Sequence, residues 1–152
     1  MIKRNKRTFI QIICIPFFWV LANSCLDTIV RGTKLSNEDI KYIQSLGLLD
    51  KDETIDLIYY TLSPRTTGNF ITSKRIASYL DYKDNPNRHK DFAYYSQVDT
   101  LYSDFRDELG YGNRIMVKKM DGQTFYLNVN GSQKMMADFL NRATKYWKES
   151  KK

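Results

Sequence analysis

The sequence predicts an α+β domain, a small antiparallel β-barrel or strongly curved sheet, with a short N-terminal helix and a C-terminal amphipathic helix that caps it. Three observations carry this. From Glu53 onward, apolar residues recur at every second position in successive short runs, the period of a strand. Two such runs flank Asp121-Gly122, a pair that tolerates the positive φ angles of a tight hairpin turn. Met136, Phe139, Leu140, Ala143 and Trp147 then fall on one face at helical spacing, wide enough to cover a sheet opening.

Each element follows from local chemistry. Residues 25–35 show no clear period and read as a tether. Ser36 is suited to cap a short helix, with Asp39 as the acidic partner of a capping box and Glu38 beside it at the positive end of the helix dipole. Ile40, Ile43 and Leu46 form its apolar stripe, Gly47 is a C-terminal stop, and Leu48 and Leu49 fasten it to the domain. Ile55, Leu57, Tyr59 and Thr61 define a strand ending near Ser63-Pro64, and residues 65–69 carry turn chemistry. Phe70 to Tyr82 reads as one long strand, and a polar loop from Lys83 to Lys90 leads to a strand over Phe92–Val98. Val98, Leu101, Phe105 and Leu109 are spaced for a helix ended by Gly110, with a bent strand over Thr100–Phe105 as the alternative. Arg114–Met120 and Gln123–Asn130 form the hairpin around Asp121-Gly122, and the final helix runs from about Ser132 to Glu149.

The chain opens with a different kind of segment. Lys3, Arg4, Lys6 and Arg7 precede the apolar run Phe9–Ala22, which ends in Asn23-Ser24-Cys25. These are the n-region, apolar core and small-residue cleavage site of a secretory signal. A spanning helix needs roughly 20 apolar residues. This run is shorter and contains Gln11 and Pro16. The cysteine at the junction makes the segment resemble a bacterial lipoprotein signal, although Ala22 stands where the lipobox usually has Leu. The resemblance implies cleavage after residue 24, acylation of Cys25 by diacylglyceryl and palmitate-type chains, and attachment to the membrane through that lipid. Cys14 leaves with the signal, so Cys25 would be the sole cysteine of an exported chain, a thiol that lipidation accounts for.

Removing residues 1–24 takes away four basic and no acidic residues, lowering the formal charge from +7 to +3. Nucleic-acid binding needs a basic face, so neither this balance nor export fits it. The remaining residues 36–152 make one domain by length. With no cysteine pair to staple it, the core must come from side chains such as the eleven tyrosines and eight phenylalanines of the chain.

Three stretches carry a further likeness. The acidic opening Asp50-Lys51-Asp52-Glu53, the run Phe70-Ile71-Thr72-Ser73-Lys74-Arg75-Ile76, and Asp121-Gly122 with Phe125-Tyr126-Leu127 before the last helix together resemble the small bacterial pleckstrin-homology-like domains. That family's barrel has seven strands, where five or six are countable here. The resemblance implies a candidate anion or headgroup site built from Arg65 in the first loop and Lys74 and Arg75 on the next strand. Alternation along a regular strand would turn Lys74 and Arg75 to opposite faces.

Catalytic signals are scarce. His89 is the only histidine and sits in a polar loop, no G-x-S-x-G elbow or glycine-rich phosphate loop occurs, and Asp104, Asp107 and Glu108 are interleaved with Arg106 as on a solvated face. The tyrosines at 59, 60, 79, 82, 94 and 95 alternate sides, so one set fills the core and the other lies outside or beneath a helix. The expectation is a non-enzymatic, lipid-anchored interaction module of the bacterial envelope, without metal or cofactor. Its partner would be another envelope protein, and its place the outer membrane facing the periplasm. The alternatives are a lipid- or small-molecule-binding protein using the barrel mouth, and a hydrolase with an unmarked carboxylate pair.

Overall fold

A computed structural model describes residues 28–104 and 113–152. The signal segment, Cys25 and much of the ambiguous 99–111 stretch lie outside the described residues. The fold is α+β. Strands β1 (Thr28–Arg31), β2 (Ile55–Tyr60), β3 (Thr67–Thr72), β4 (Arg75–Leu80) and β5 (His89–Tyr94) form a five-stranded antiparallel meander. Strands β6 (Val98–Asp104), β7 (Arg114–Lys119) and β8 (Thr124–Asn128) form a second, three-stranded one. Helix α1 (Asn37–Ser45) lies between β1 and β2, and α2 (Gln133–Glu149) ends the fold.

Both helices start where their caps predict. The Ser36 side chain accepts from the Asp39 N–H, and the Asp39 carboxylate accepts from the Ser36 N–H in return, a closed capping box. Ser132 caps α2 by accepting from the Met135 N–H.

Several expectations change. The tether does not extend to residue 35: β1 starts at Thr28 and pairs with β2 from Thr28↔Tyr60 to Arg31↔Leu57. Phe70–Tyr82 is two strands, not one. The break falls at Ser73-Lys74, where the Thr72 hydroxyl accepts from the N–H groups of Lys74 and Arg75, both at 2.9 Å, and so closes a turn without glycine or proline. Strand β5 starts three residues earlier than expected. The chain then leaves the sheet through a 3-10 turn over Tyr95–Gln97 and enters β6, so residues 98–104 take the strand alternative and not the helix. The described residues therefore hold eight strands. Among the described residues the two sheets share no ladder, and no closed barrel forms.

The hairpin is present, with a different turn. The Gly122 N–H donates to the Lys119 carbonyl at 3.0 Å, the Lys119 N–H to the Gln123 carbonyl at 2.8 Å, and within this loop Gly122 alone has positive φ, +86°. That is a three-residue loop of a type I turn plus a glycine bulge. A two-residue turn of type I′ would need positive φ at Asp121 as well.

The five-stranded sheet is buried on both faces. Leu57, Tyr59, Ile71, Ile76 and Ala93 face the second sheet and α2, packing with Ile115, Val117, Leu127 and Phe139. Ile58, Phe70, Ala77 and Tyr79 face α1, packing with Ile43, Leu48 and Leu49. This explains why β3 and β4 are buried almost throughout rather than alternately.

Candidate interaction surfaces

The cations singled out from sequence are each met by carboxylates. Arg75 is 1% exposed. Its Nε lies 3.1 Å from Glu53 Oε1 and its second nitrogen 2.7 Å from Glu53 Oε2, with Asp50 completing the set. The guanidinium lies against the edge-to-face pair Phe92 and Tyr94, 5.2 and 4.5 Å from their ring centres. Lys74 reaches Asp52 at 3.0 Å. Arg65 pairs with Glu38 at 2.6 Å and Asp39 at 3.0 Å, joining the loop after β2 to the start of α1.

The structure brings Lys74 and Arg75 together at one turn and sets Arg65 at the far end of β3. A six-residue strand lies between them, roughly 20 Å at strand rise. The three do not form one site, because the hairpin at Ser73-Lys74 replaces the continuous strand that placed them. The acidic residues of the 50–53 opening serve as the counter-charges of this turn.

A second polar cluster docks α2. A bulge between Ile55 and Leu57 turns Asp56 out of register, and its carboxylate meets the Arg142 guanidinium at 3.1 Å and accepts from the Tyr146 hydroxyl at 2.9 Å. The Trp147 indole N–H donates to the Val98 carbonyl at 3.0 Å, so the same helix also holds the first residue of β6.

His89 lies in β5 and not in the loop. Its Nε2 is 3.3 Å from the Ser78 hydroxyl, and its Nδ1 is 3.1 Å from the Asn87 carbonyl. A serine beside an imidazole is the germ of a nucleophile, yet Ser78 is 2% exposed in a central strand and its hydroxyl donates to Asn69 Oδ1 at 2.8 Å. The three residues form a polar ladder across the sheet interior.

Charge also ties α1 to the loop after β4. The Tyr42 hydroxyl donates to Asp81 at 2.5 Å, and Arg88 donates to the same carboxylate. Burial, then the bond to Asp81, pushes the Tyr42 hydroxyl up to about 12. The Tyr42 bond, followed by those from Arg88, holds the Asp81 carboxyl below its usual value. A carboxyl lowered on folding adds stability above its unfolded value of about 4 and loses it as the pH falls through the folded value. We therefore expect the urea midpoint to drop on acidification below about pH 4. The drop should be shallower in Asp81→Asn. Parallel curves for the two proteins would remove Asp81 from that role.

The tyrosines divide as alternation requires. Tyr59 and Tyr95 are buried in the core between the sheets, and Tyr79 is buried beneath α1 with its hydroxyl donating to the Pro64 carbonyl. The exposed aromatic face lies elsewhere. Tyr102, Met116 and Tyr126 stand directly opposite one another across β6, β7 and β8, on the side away from the core. Tyr102 is 51% and Tyr126 40% exposed, and the Arg114 guanidinium lies 4.7 Å from the Tyr126 ring centre. The sequence reading passed over this row. Its signal was present: Met116 and Tyr126 hold positions where the alternation of Ile115, Val117, Phe125 and Leu127 calls for polar residues.

No family model matches the chain, and no curated protein matches it. Among solved structures, the chain is similar to a DUF1696 family protein with a pleckstrin-homology domain from Shewanella loihica PV-4. The TM-score is 0.44 and the identity 14%, over 70% of this chain and 94% of that one.

Among the described residues no helix is long and apolar enough to cross a membrane. No three His, Cys, Asp or Glu side chains there converge as metal ligands would.

Proposed function

We propose that this chain is a non-enzymatic interaction module of the bacterial envelope, attached by lipid at Cys25 to the outer membrane on its periplasmic side, with another envelope protein as partner. The observation that carries the reading is the row Tyr102–Met116–Tyr126. A solvent-facing sheet surface is ordinarily polar, and Tyr, Met and Arg are the residue types enriched where proteins meet. The element order, antiparallel strands in two meanders closed by one helix, is in keeping with a pleckstrin-homology-like domain used as a rigid platform. The dense packing on both faces of the larger sheet favours recognition at the surface over a ligand held inside.

The test is capture from detergent-solubilised membranes with the intact lipoprotein and with a Tyr102→Ser/Tyr126→Ser variant. Loss of an aromatic anchor pair should lower partner recovery by about tenfold or more. Equal recovery by both proteins would remove the aromatic row from the reading. Mass analysis of the N-terminal peptide from the same sample should show an acylated Cys25, and an unmodified thiol overturns the anchor.

A further inference from the structure

The main-chain hydrogen bonds fix which way each residue of β5 points. The Tyr95 N–H donates to the Lys74 carbonyl at 3.1 Å, towards β4. The Arg75 N–H is taken by the Thr72 hydroxyl on the β3 side, so Arg75 and its partner Tyr94 are a pair without mutual hydrogen bonds. In an antiparallel ladder such pairs alternate with bonded ones. Asp91 and Ala93 therefore bond to β4, while Lys90, Phe92 and Tyr94 aim their N–H and C=O groups outward.

The Tyr94 N–H is occupied by Gln97 Oε1 at 3.3 Å. The outward groups of Lys90 and Phe92 have no partner among the described residues. They look into an open groove of about 540 Å³, whose near wall is Lys90, Phe92 and Gln97 and whose far wall is Lys119 at the end of β7 with Met120 and Asp121 of the loop after it. The Met120 N–H donates to the Gln97 carbonyl at 2.9 Å and pins the loop across the end of the groove, while its side chain stays 64% exposed as an apolar lip.

We propose that this free edge of β5 accepts an extended strand from a partner protein, a proposal that rests on the interaction reading above. Unpaired main-chain donors and acceptors at strand spacing are matched by another extended main chain, the mode known as strand addition. A second copy of this chain fits poorly. An antiparallel self-pair centred on Asp91 sets two carboxylates opposite each other, and one centred on Lys90 sets two ammonium groups opposite each other, which a sheet disfavours. A pair centred on Phe92 needs the Tyr94 N–H that Gln97 already holds. Lys90 and Asp91 make no ion pair among the described residues. The matching segment thus carries an acidic residue opposite Lys90 and a basic one beside it, opposite Asp91.

The experiment uses the intact lipoprotein in solubilised membranes and compares Lys90→Pro with Lys90→Ala. Proline at 90 deletes an outward N–H and leaves the β4 ladder whole, and alanine removes only the side chain. Recovery of the partner should fall about tenfold further in the proline variant than in the alanine one. In the wild-type complex the Lys90 and Phe92 amides should become protected from hydrogen exchange, with Asp91 unchanged. That measurement stands even if the proline variant folds poorly.

Equal recovery by the two variants, or no new protection at Lys90 and Phe92, overturns the proposal. If only the Tyr102/Tyr126 variant loses its partner, the edge is excluded and the interaction reading survives. No partner for the wild-type protein overturns both. A captured species that proves to be this same chain overturns the proposal in favour of self-pairing.

Discussion

Arg75→Met should lower the free energy of unfolding by about 3–5 kcal/mol, measured by urea denaturation. Methionine keeps the length of the arginine stem and so leaves no large cavity. What it removes is the guanidinium that faces the Glu53 carboxylate, which is itself 1% exposed in its side chain. The remaining charge is buried with a hydroxyl from Thr72 as its main donor, and desolvation then exceeds what that bond returns. Contact of the guanidinium with Phe92 and Tyr94 is lost at the same time.

A buried ion pair is worth little compared with an apolar pair of similar volume, whereas breaking one is costly. Glu53→Met/Arg75→Met should therefore recover most of the loss. A single-variant loss under about 1 kcal/mol would show that the cluster relaxes or takes up water, and that the turn at Ser73-Lys74 stands without it.

Phe139→Ala should cost about 3–5 kcal/mol, the range for truncating a fully buried aromatic side chain. Phe139 is 0% exposed at the centre of the α2 face formed with Met136 and Ala143, against the inner side of both sheets. The polar contacts of Arg142, Tyr146 and Trp147 are one to two turns further on and remain in place. We thus expect α2 to stay docked at its C-terminal half and to open first at its N-terminal half, seen as faster exchange of amides near Met136. Leu140→Ala, at a half-buried position beside it, should cost distinctly less. Equal losses at the two positions would mean that α2 is held by its polar contacts rather than by this face.

How much of this was legible in the sequence differs by element. Helices α1 and α2 were, because a cap is a relation within four residues and an amphipathic stripe within eleven, and neither needs the rest of the chain. The alternation of β7 and β8 was legible for the same reason, since one face of that hairpin meets the core and the other meets water. Strands β3 and β4 were not. With α1 on one side and the second sheet on the other, both faces are apolar, and the period-two signal that separates two strands from one is erased. The turn between them is made by a threonine hydroxyl and carries no glycine or proline. Strand β1 was missed because a four-residue run has no period to read.

The candidate surfaces follow the same division. Tyr126 and Met116 stood out of pattern in the sequence, but only the pairing register places Tyr102 beside them. The free edge of β5 has no sequence signal of its own, because which amides point outward depends on the hydrogen-bond phase set by β4. Sequence alone determined the residues able to cap, turn, alternate and pair in charge. Tertiary structure decided which faces were covered, which cations were consumed by carboxylates, and which edge was left open. The reason is physical: propensity and capping act over a few residues, whereas burial and hydrogen-bond phase are set by strands distant in the chain.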